Sequence, residues 1–240
     1  MGHLDGRLVV VTGASRGVGF YAAKEIATQG AHVIAIARTV GGLEELDDEI
    51  RAAGGVATLV PLNLKDYDAI DRLGGTIHER WGRLDGLLAN AGYLGQVTPL
   101  SHLDPAIFDD VMNINVTVNY RLIRSLEPLL RQSPSGRAVF VSSGAVRARR
   151  PFVAPYSASK AALEAMVKSW SHELTTTNMR ANLVDPGTLR TRMRAQYAPG
   201  EDPETVRHPA EIAESLVTLL SAETTENGRI YDFPKGEWRT

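Results

Sequence analysis

The chain contains no cysteine, which excludes disulfide bridges, a thiolate nucleophile and a thiolate-bound metal. That absence suits a reducing compartment, and a cytoplasmic location is the expectation. Long hydrophobic runs are also missing: stretches such as 8–11 and 33–37 are far too short to span a bilayer as a helix. The beginning, Met1-Gly2-His3-Leu4-Asp5-Gly6-Arg7, lacks an apolar signal core, and Gly6 stands where a myristoylation motif needs Ser or Thr. Neither export nor a lipid anchor is therefore expected, and the sequon Asn115-Val116-Thr117 is read as coincidence. There is no excess of one charge. With 26 Lys and Arg against 28 Asp and Glu, the net charge of −2 gives no reason to expect nucleic acid or an anionic membrane as partner. A Gly-x-Ser-x-Gly elbow is absent, which removes the common hydrolase arrangement. His172-Glu173 opens like a zinc motif, but Thr176 stands at the second histidine position, so no metal is expected.

What is present is an ordinary globular composition, 43% hydrophobic and 22% charged over 240 residues, enough for one continuous core. No repeat of solenoid length and no Gly/Ser linker interrupts it, so residues 1–240 are read as one domain. Short β-rich runs alternate with amphipathic stretches throughout. Seven strands are predicted near 8–11, 32–37, 57–62, 86–89, 138–142, 181–184 and 229–233, with a first helix over 18–29 ending at Gly30. Right-handed crossovers then give an α/β, Rossmann-like, doubly wound sheet of seven parallel strands with helices on both faces. The segment 188–208 carries Pro199, Gly200 and Pro203 with weak periodicity, and is read as an irregular substrate-binding lid after the sixth strand.

Thr12-Gly13-Ala14-Ser15-Arg16-Gly17-Val18-Gly19 lies between the first strand and the first helix. There a diphosphate would meet free backbone N–H groups and the positive helix end, and the glycines allow close approach. Phe20 after Gly19 excludes a Walker loop. At the end of the second strand, an acid would select NAD by accepting from the ribose hydroxyls. The chain has Arg38 instead, and with Arg16 it offers planar donors to a 2′-phosphate, so NADP(H) is favoured over NAD(H).

Tyr156 and Lys160 are four residues apart on a helical stretch and so face the same way. A cation about 4 Å from the phenol at an effective dielectric of about 20 supplies ~4 kcal/mol, or ~3 pK units, which would bring a tyrosine towards neutral pH. With these motifs in one order, the chain resembles the short-chain dehydrogenase/reductase family over nearly its whole length. The resemblance matches the family's Asn-Ala-Gly motif to Asn90, Ala91 and Gly92, its catalytic Asn to Asn115, and its serine to Ser143, thirteen residues before Tyr156. It matches the family's Pro-Gly to Pro186 and Gly187, followed by Thr188 and Thr191.

The resemblance implies catalytic roles for Asn115, Ser143, Tyr156 and Lys160. Cofactor contacts would come from Gly13, Ser15, Arg16, Gly17, Val18, Gly19, Arg38, Asn63, Leu64, Asn90, Ala91, Gly92, Tyr156, Lys160, Pro186, Gly187, Thr188 and Thr191. In reduction, a hydride would pass to a carbonyl carbon while Tyr156 protonates the oxygen and Ser143 holds it; Lys160 would lower the Tyr156 pKa, and Asn115 would anchor a relay water. A homodimer or homotetramer is likewise implied. Two positions depart from the family pattern: Asn63 replaces the common Asp at the adenine contact, and Phe233-Pro234-Lys235-Gly236 replaces a glycine-rich ending. The rival reading is a non-enzymatic NADP(H) sensor on the same fold. Two arginine groups, at 147, 149 and 150 and at 190, 192 and 194, either meet an anionic substrate group or solvate loops and pair with acids.

Overall fold

The computed structural model describes residues 2–240. Its strands are β1 (Leu8–Thr12), β2 (His32–Ala37), β3 (Val56–Pro61), β4 (Gly86–Ala89), β5 (Arg137–Val141), β6 (Arg180–Asp185), β7 (Ile230–Asp232) and β8 (Glu237–Arg239). One sheet contains them all in the order β3-β2-β1-β4-β5-β6-β7-β8. The helices are α1 (Gly17–Thr28), α2 (Val40–Ala52), α3 (Tyr67–Trp81), α4 (Pro105–Met112), α5 (Val118–Leu130), α6 (Ala145–Ala148), α7 (Ala154–Glu173), α8 (Arg192–Tyr197) and α9 (Ala213–Leu220).

Each residue of β1 is buried, as a strand covered on both faces must be. Side chains alternate between the faces: Leu8 and Val10 join one core with Ile70, Leu122, Leu163 and Trp170, while Val9 and Val11 join the other with Ile26, Leu43 and Leu216. Thus α3, α5 and α7 cover one face and α1, α2 and α9 the other. The chain places β2 and β3 on one side of β1, then crosses to β4 on the other side. That reversal opens a crevice beyond the carboxyl ends of β1 and β4, where open α/β sheets bind ligands.

The seven predicted strands are all present and pair in parallel, and the sheet adds an eighth that the sequence did not reveal. β8 returns antiparallel to β7, with Tyr231 opposite Trp238 and their rings 5.4 Å apart, edge to face. The Phe233-Pro234-Lys235-Gly236 departure is its turn: Gly236 adopts φ 66° and donates to the Asp232 carbonyl at 2.9 Å. The first helix starts one residue earlier than expected, with Gly30 following it at φ 93°. In the segment 188–208 the chain forms α8 and the 3₁₀ turn Pro203–Thr205, and an isolated bridge pairs Leu189 with Arg207. No helix among the described residues is long and apolar enough to cross a membrane.

Candidate active site

The crevice is a cleft of about 1120 Å³, formed where the loops after β1, β2, β3, β4, β5 and β6 converge. At one end lies the turn from β1 into α1. A Cβ on Gly19 would stand 2.3 Å from the Gly13 carbonyl oxygen, so only glycine lets the loop close on itself. Asn90 holds this loop from below. Its Nδ2 donates to the carbonyls of Thr12 (3.0 Å) and Gly13 (3.3 Å), while Thr12 Oγ1 accepts from the backbone N–H of Asn90 and of Ala91. Asn90 thus brackets β1 to β4 and shapes the glycine turn through its side chain.

No side chain caps the start of α1, because Arg16 occupies the cap position without a capping hydrogen bond. The first N–H groups of a helix have no intrahelical acceptor, so this end presents donors and a positive dipole towards the cleft. Arg16 and Arg38 are both exposed on its wall, and neither forms a salt bridge among the described residues. Asn63 and Leu64 line the same end, where Asn63 Oδ1 also accepts from Lys65 N at 3.2 Å. These donors and glycines suit a dinucleotide carrying an extra phosphate.

The other end holds the titratable groups. Tyr156, near the start of α7, is 9% exposed, and beside it in the turn after β5 lies the Ser143 side chain, whose Oγ accepts from Ala145 N at 3.1 Å. Lys160, one turn further along α7, is 3% exposed and donates to the Val141 carbonyl at 2.7 Å, with its Nζ 5.8 Å from the centre of the Tyr156 ring. Ser142 does not join this group and donates to Glu164 Oε1 at 2.6 Å.

The electrostatics differ from the sequence expectation. Burial raises the Tyr156 pKa above its ordinary value, Ser143 opposes that rise, and the charge of Asp185 adds to it. Burial lowers Lys160 to about 8, against a raising pull from Glu164. The expected drop of the phenol assumed a solvated cation at contact distance. Here the lysine is itself desolvated and its ammonium is held on Val141, so desolvation outweighs attraction.

Asn115 lies where α4 passes into α5 through a π-helical turn, Asn113–Thr117, in which Val118 N donates to the Asn113 carbonyl. The wider turn swings Asn115 inward until it is fully buried. Its Oδ1 accepts from Tyr93 N (2.8 Å), and its Nδ2 donates to Tyr93 O and Ser159 Oγ (both 2.9 Å). The side chain therefore ties the loop after β4 to α7. Its own carbonyl accepts from Asn119 Nδ2 at 2.8 Å.

Of the expected cofactor contacts, Gly19 alone does not line the cleft; the turn itself buries it. Sequence reasoning placed Met193, Gln196 and Tyr197 there only as part of the segment 188–208, and gave no cleft role to Tyr93, Leu94 or Val153, which also line it. Their apolar types carry no signal of their own, and only folding brings Leu94, Val153 and Tyr156 into one small cluster with Met193 and Tyr197. Three of the six arginines are engaged with acids: Arg147 with Asp185 and Asp232, Arg190 with Glu204, and Arg194 with Glu201. Among the described residues no group of three or more His, Asp or Glu is placed to hold a metal ion.

A doubly wound sheet with a nucleotide-shaped turn at one end of its crevice and a Ser-Tyr-Lys group at the other defines a dinucleotide-dependent oxidoreductase architecture. Comparison with known proteins agrees: the short chain dehydrogenase family model matches residues 7–202. The chain is 35% identical over 237 residues to the oxidoreductase YciK of Escherichia coli, covering 97% of this chain and 94% of that protein. A short chain dehydrogenase of Escherichia coli solved with NADPH superposes with a TM-score of 0.89 at 36% identity, over 95% of this chain and 97% of that one. A Shigella flexneri short chain dehydrogenase solved with NADP gives 0.91 at 36% identity, with the same two coverages. The chain belongs to the short-chain dehydrogenase family.

Proposed function

We propose that this protein is an NADP(H)-dependent oxidoreductase that interconverts a small carbonyl compound and the corresponding alcohol, with Tyr156 as the proton-transferring group. The observation that carries the reading is the buried Tyr156 with the Ser143 side chain beside it and Lys160 one helical turn away. NADP(H) is supported by Arg16 and Arg38 on the adenosine side of the cleft, free of acid partners among the described residues, and by the two similar structures solved with NADPH and NADP.

When bound, the nicotinamide cofactor supplies the hydride for the carbonyl carbon. The chain supplies everything around that transfer. Ser143 and Tyr156 donate to the carbonyl oxygen, where negative charge develops. A phenol raised by burial stays protonated near neutral pH, so Tyr156 enters the reduction as an intact acid. As its proton leaves, Lys160 stabilises the phenolate across a low-dielectric gap, where a nearby cation counts for more than in water. Asn115 keeps α7 and the loop after β4 in register and offers its carbonyl to a relay water.

The segment 188–208 serves as the lid of this single-domain enzyme: Gln196 Nε2 donates across to the Gly95 carbonyl at 2.7 Å, joining the lid to the opposite wall. Beneath it, Leu94, Val153, Met193 and Tyr197 favour a substrate with an apolar body. Arg150 and Arg192 line the rim without acid partners among the described residues, which favours an anionic group at the far end. A cytoplasmic homodimer or homotetramer completes the reading.

The test is an NADPH-oxidation screen over aldehydes, ketones, quinones and keto acids, followed by Tyr156→Phe on the best substrate. Loss of the acid is expected to lower kcat by about 10²–10⁴-fold with NADPH affinity kept. Unchanged turnover in the variant would remove Tyr156 from the mechanism.

A further inference from the structure

Two carboxylates lie side by side beneath the catalytic loops, and the function proposed above uses neither. Asp185 ends β6, Asp232 ends β7, and the two are direct partners in the parallel register. Their side chains are 2% and 3% exposed. Two buried carboxylates at such a position repel one another and resist ionisation unless cations meet them.

Two arginines do so, from separate parts of the chain. Arg147, in the short helix α6 just beyond Ser143, places its Nη2 2.9 Å from an oxygen of each carboxylate. Arg239, on β8 and one residue from the end of the sequence, brings its Nη2 to 3.2 Å from Asp185 and its Nε to 3.6 Å from Asp232. The group is thus two cations on two anions. None of the four residues lines the cleft, yet Asp185 supports two of its walls. Its Oδ1 accepts from Gly187 N at 3.1 Å, which sets the Pro186-Gly187 turn. Its other oxygen binds Arg147, and a Cβ on Gly144 would lie only 3.5 Å from it, so the carboxylate is in near contact with the Ser143-Gly144 turn.

We propose that Arg239 is a positioning residue of the active site: by balancing the charge of Asp185 and Asp232 it holds Asp185 against both Gly187 and Arg147, and so fixes Ser143 relative to Tyr156. This inference rests on the function proposed above. With Arg147 alone, two buried anions share one cation that is 46% exposed and sits on a helix of four residues. The surplus charge then pulls Arg147 and its loop towards water or draws a proton into the pair. Either outcome moves the Ser143 hydroxyl, and a misplacement of about 1 Å costs catalysis on the order of 10²-fold. The adenosine end of the cleft, shaped by Gly13, Asn90 and Arg38, does not share these contacts. The β7–β8 hairpin, which varies the family's usual glycine-rich ending, is the means by which Arg239 reaches the carboxylates.

The experiment compares the parent protein with Arg239→Gln and with the charge-balanced double variant Arg239→Gln/Asp232→Asn. Turnover of the best carbonyl from the NADPH screen is measured, together with NADPH affinity by fluorescence, with the folded fraction fixed by circular dichroism at the assay temperature. Per folded molecule, the single variant is expected to lose at least about tenfold in kcat, with NADPH Kd within about twofold of the parent. The double variant restores one cation per buried carboxylate and is expected to recover most of the loss. Unchanged kcat in Arg239→Gln would overturn the proposal, and so would a double variant no better than the single one. If Arg239→Gln does not fold, the double variant decides alone: a folded protein with near-parent kcat supports charge balance, and a folded protein with tenfold lower kcat refutes it. Turnover by the parent protein is measured first, so failure of the enzymatic reading is seen separately from failure of this one.

Discussion

The two ends of the sheet each set polar side chains beside a cavity, and they use them differently. At the amino end, Asp85 accepts from Leu8 N (3.0 Å) and from Ser133 Oγ (2.6 Å) and pairs with Arg83, while Arg7 bonds the Asp85 and Ser135 carbonyls. A cavity of about 420 Å³ opens there, lined by Arg7, His32, Trp81, Arg83 and Asp85, but its charges are committed to joining β1, β4 and the start of β5. At the carboxyl end, Lys160 holds a single carbonyl partner and, with Tyr156, lines a cleft of about 1120 Å³ beside an uncapped helix. Polar groups closed on protein partners hold strands; polar groups with bonding capacity left over meet ligands. This difference separates the structural cavity from the candidate active site more clearly than size does.

The largest expected effect concerns the amino end. Asp85→Ala leaves a desolvated Arg7 and an orphaned Leu8 N–H, and is expected to lower the unfolding free energy by about 3 kcal/mol. Urea denaturation measures the loss, and kcat of the folded protein should stay within twofold; a selective fall in kcat would break the contrast between the two ends. Next in size, Arg38→Ser should weaken NADPH binding by about tenfold, near 1.4 kcal/mol, and leave NADH binding unchanged in fluorescence titrations. Equal losses for both cofactors would move the 2′-phosphate elsewhere.

The last effect, of similar size, is a pH dependence. Burial pushes Lys160 down to about 8 in the folded protein, whereas in the unfolded chain it keeps the ordinary lysine value of about 10.5. Between these values the unfolded chain binds more protons, so this group makes stability rise with pH; below about 8 both states are charged and its burial cost is present in full. From pH 8 to 9.5 the parent should gain about 1.6 kcal/mol relative to Lys160→Met in urea unfolding. A parallel response of the two proteins would place the lysine in contact with water.

Much of this was legible in the sequence because it depends on local spacing. Alternating apolar runs gave the doubly wound sheet, and the glycines from Gly13 to Gly19 marked the turn into α1. Tyr156 and Lys160, four apart, had to share a helix face. What was not legible depends on contacts between distant segments. β8 is three residues long and exists only through pairing with β7. The π turn around Asn115 answers to Tyr93 and Ser159, which lie 22 and 44 residues away. The Tyr156 pKa was expected to fall, whereas burial, which no spacing reveals, drives it upward. Arg147 read as a cation that either meets a substrate anion or pairs with acids, and its commitment to Asp185 and Asp232 required the sheet to set those carboxylates side by side.

The most direct test of the central claim is transfer of deuterium from NADPH labelled at the nicotinamide C4, on either face, to the best carbonyl substrate of the screen, followed by mass spectrometry. The account predicts one deuterium on the former carbonyl carbon from one labelled face, at a rate that falls by at least about 10²-fold in Tyr156→Phe. Tight NADPH binding with no deuterium transferred to any carbonyl in the panel would contradict it and leave the fold as a nucleotide sensor.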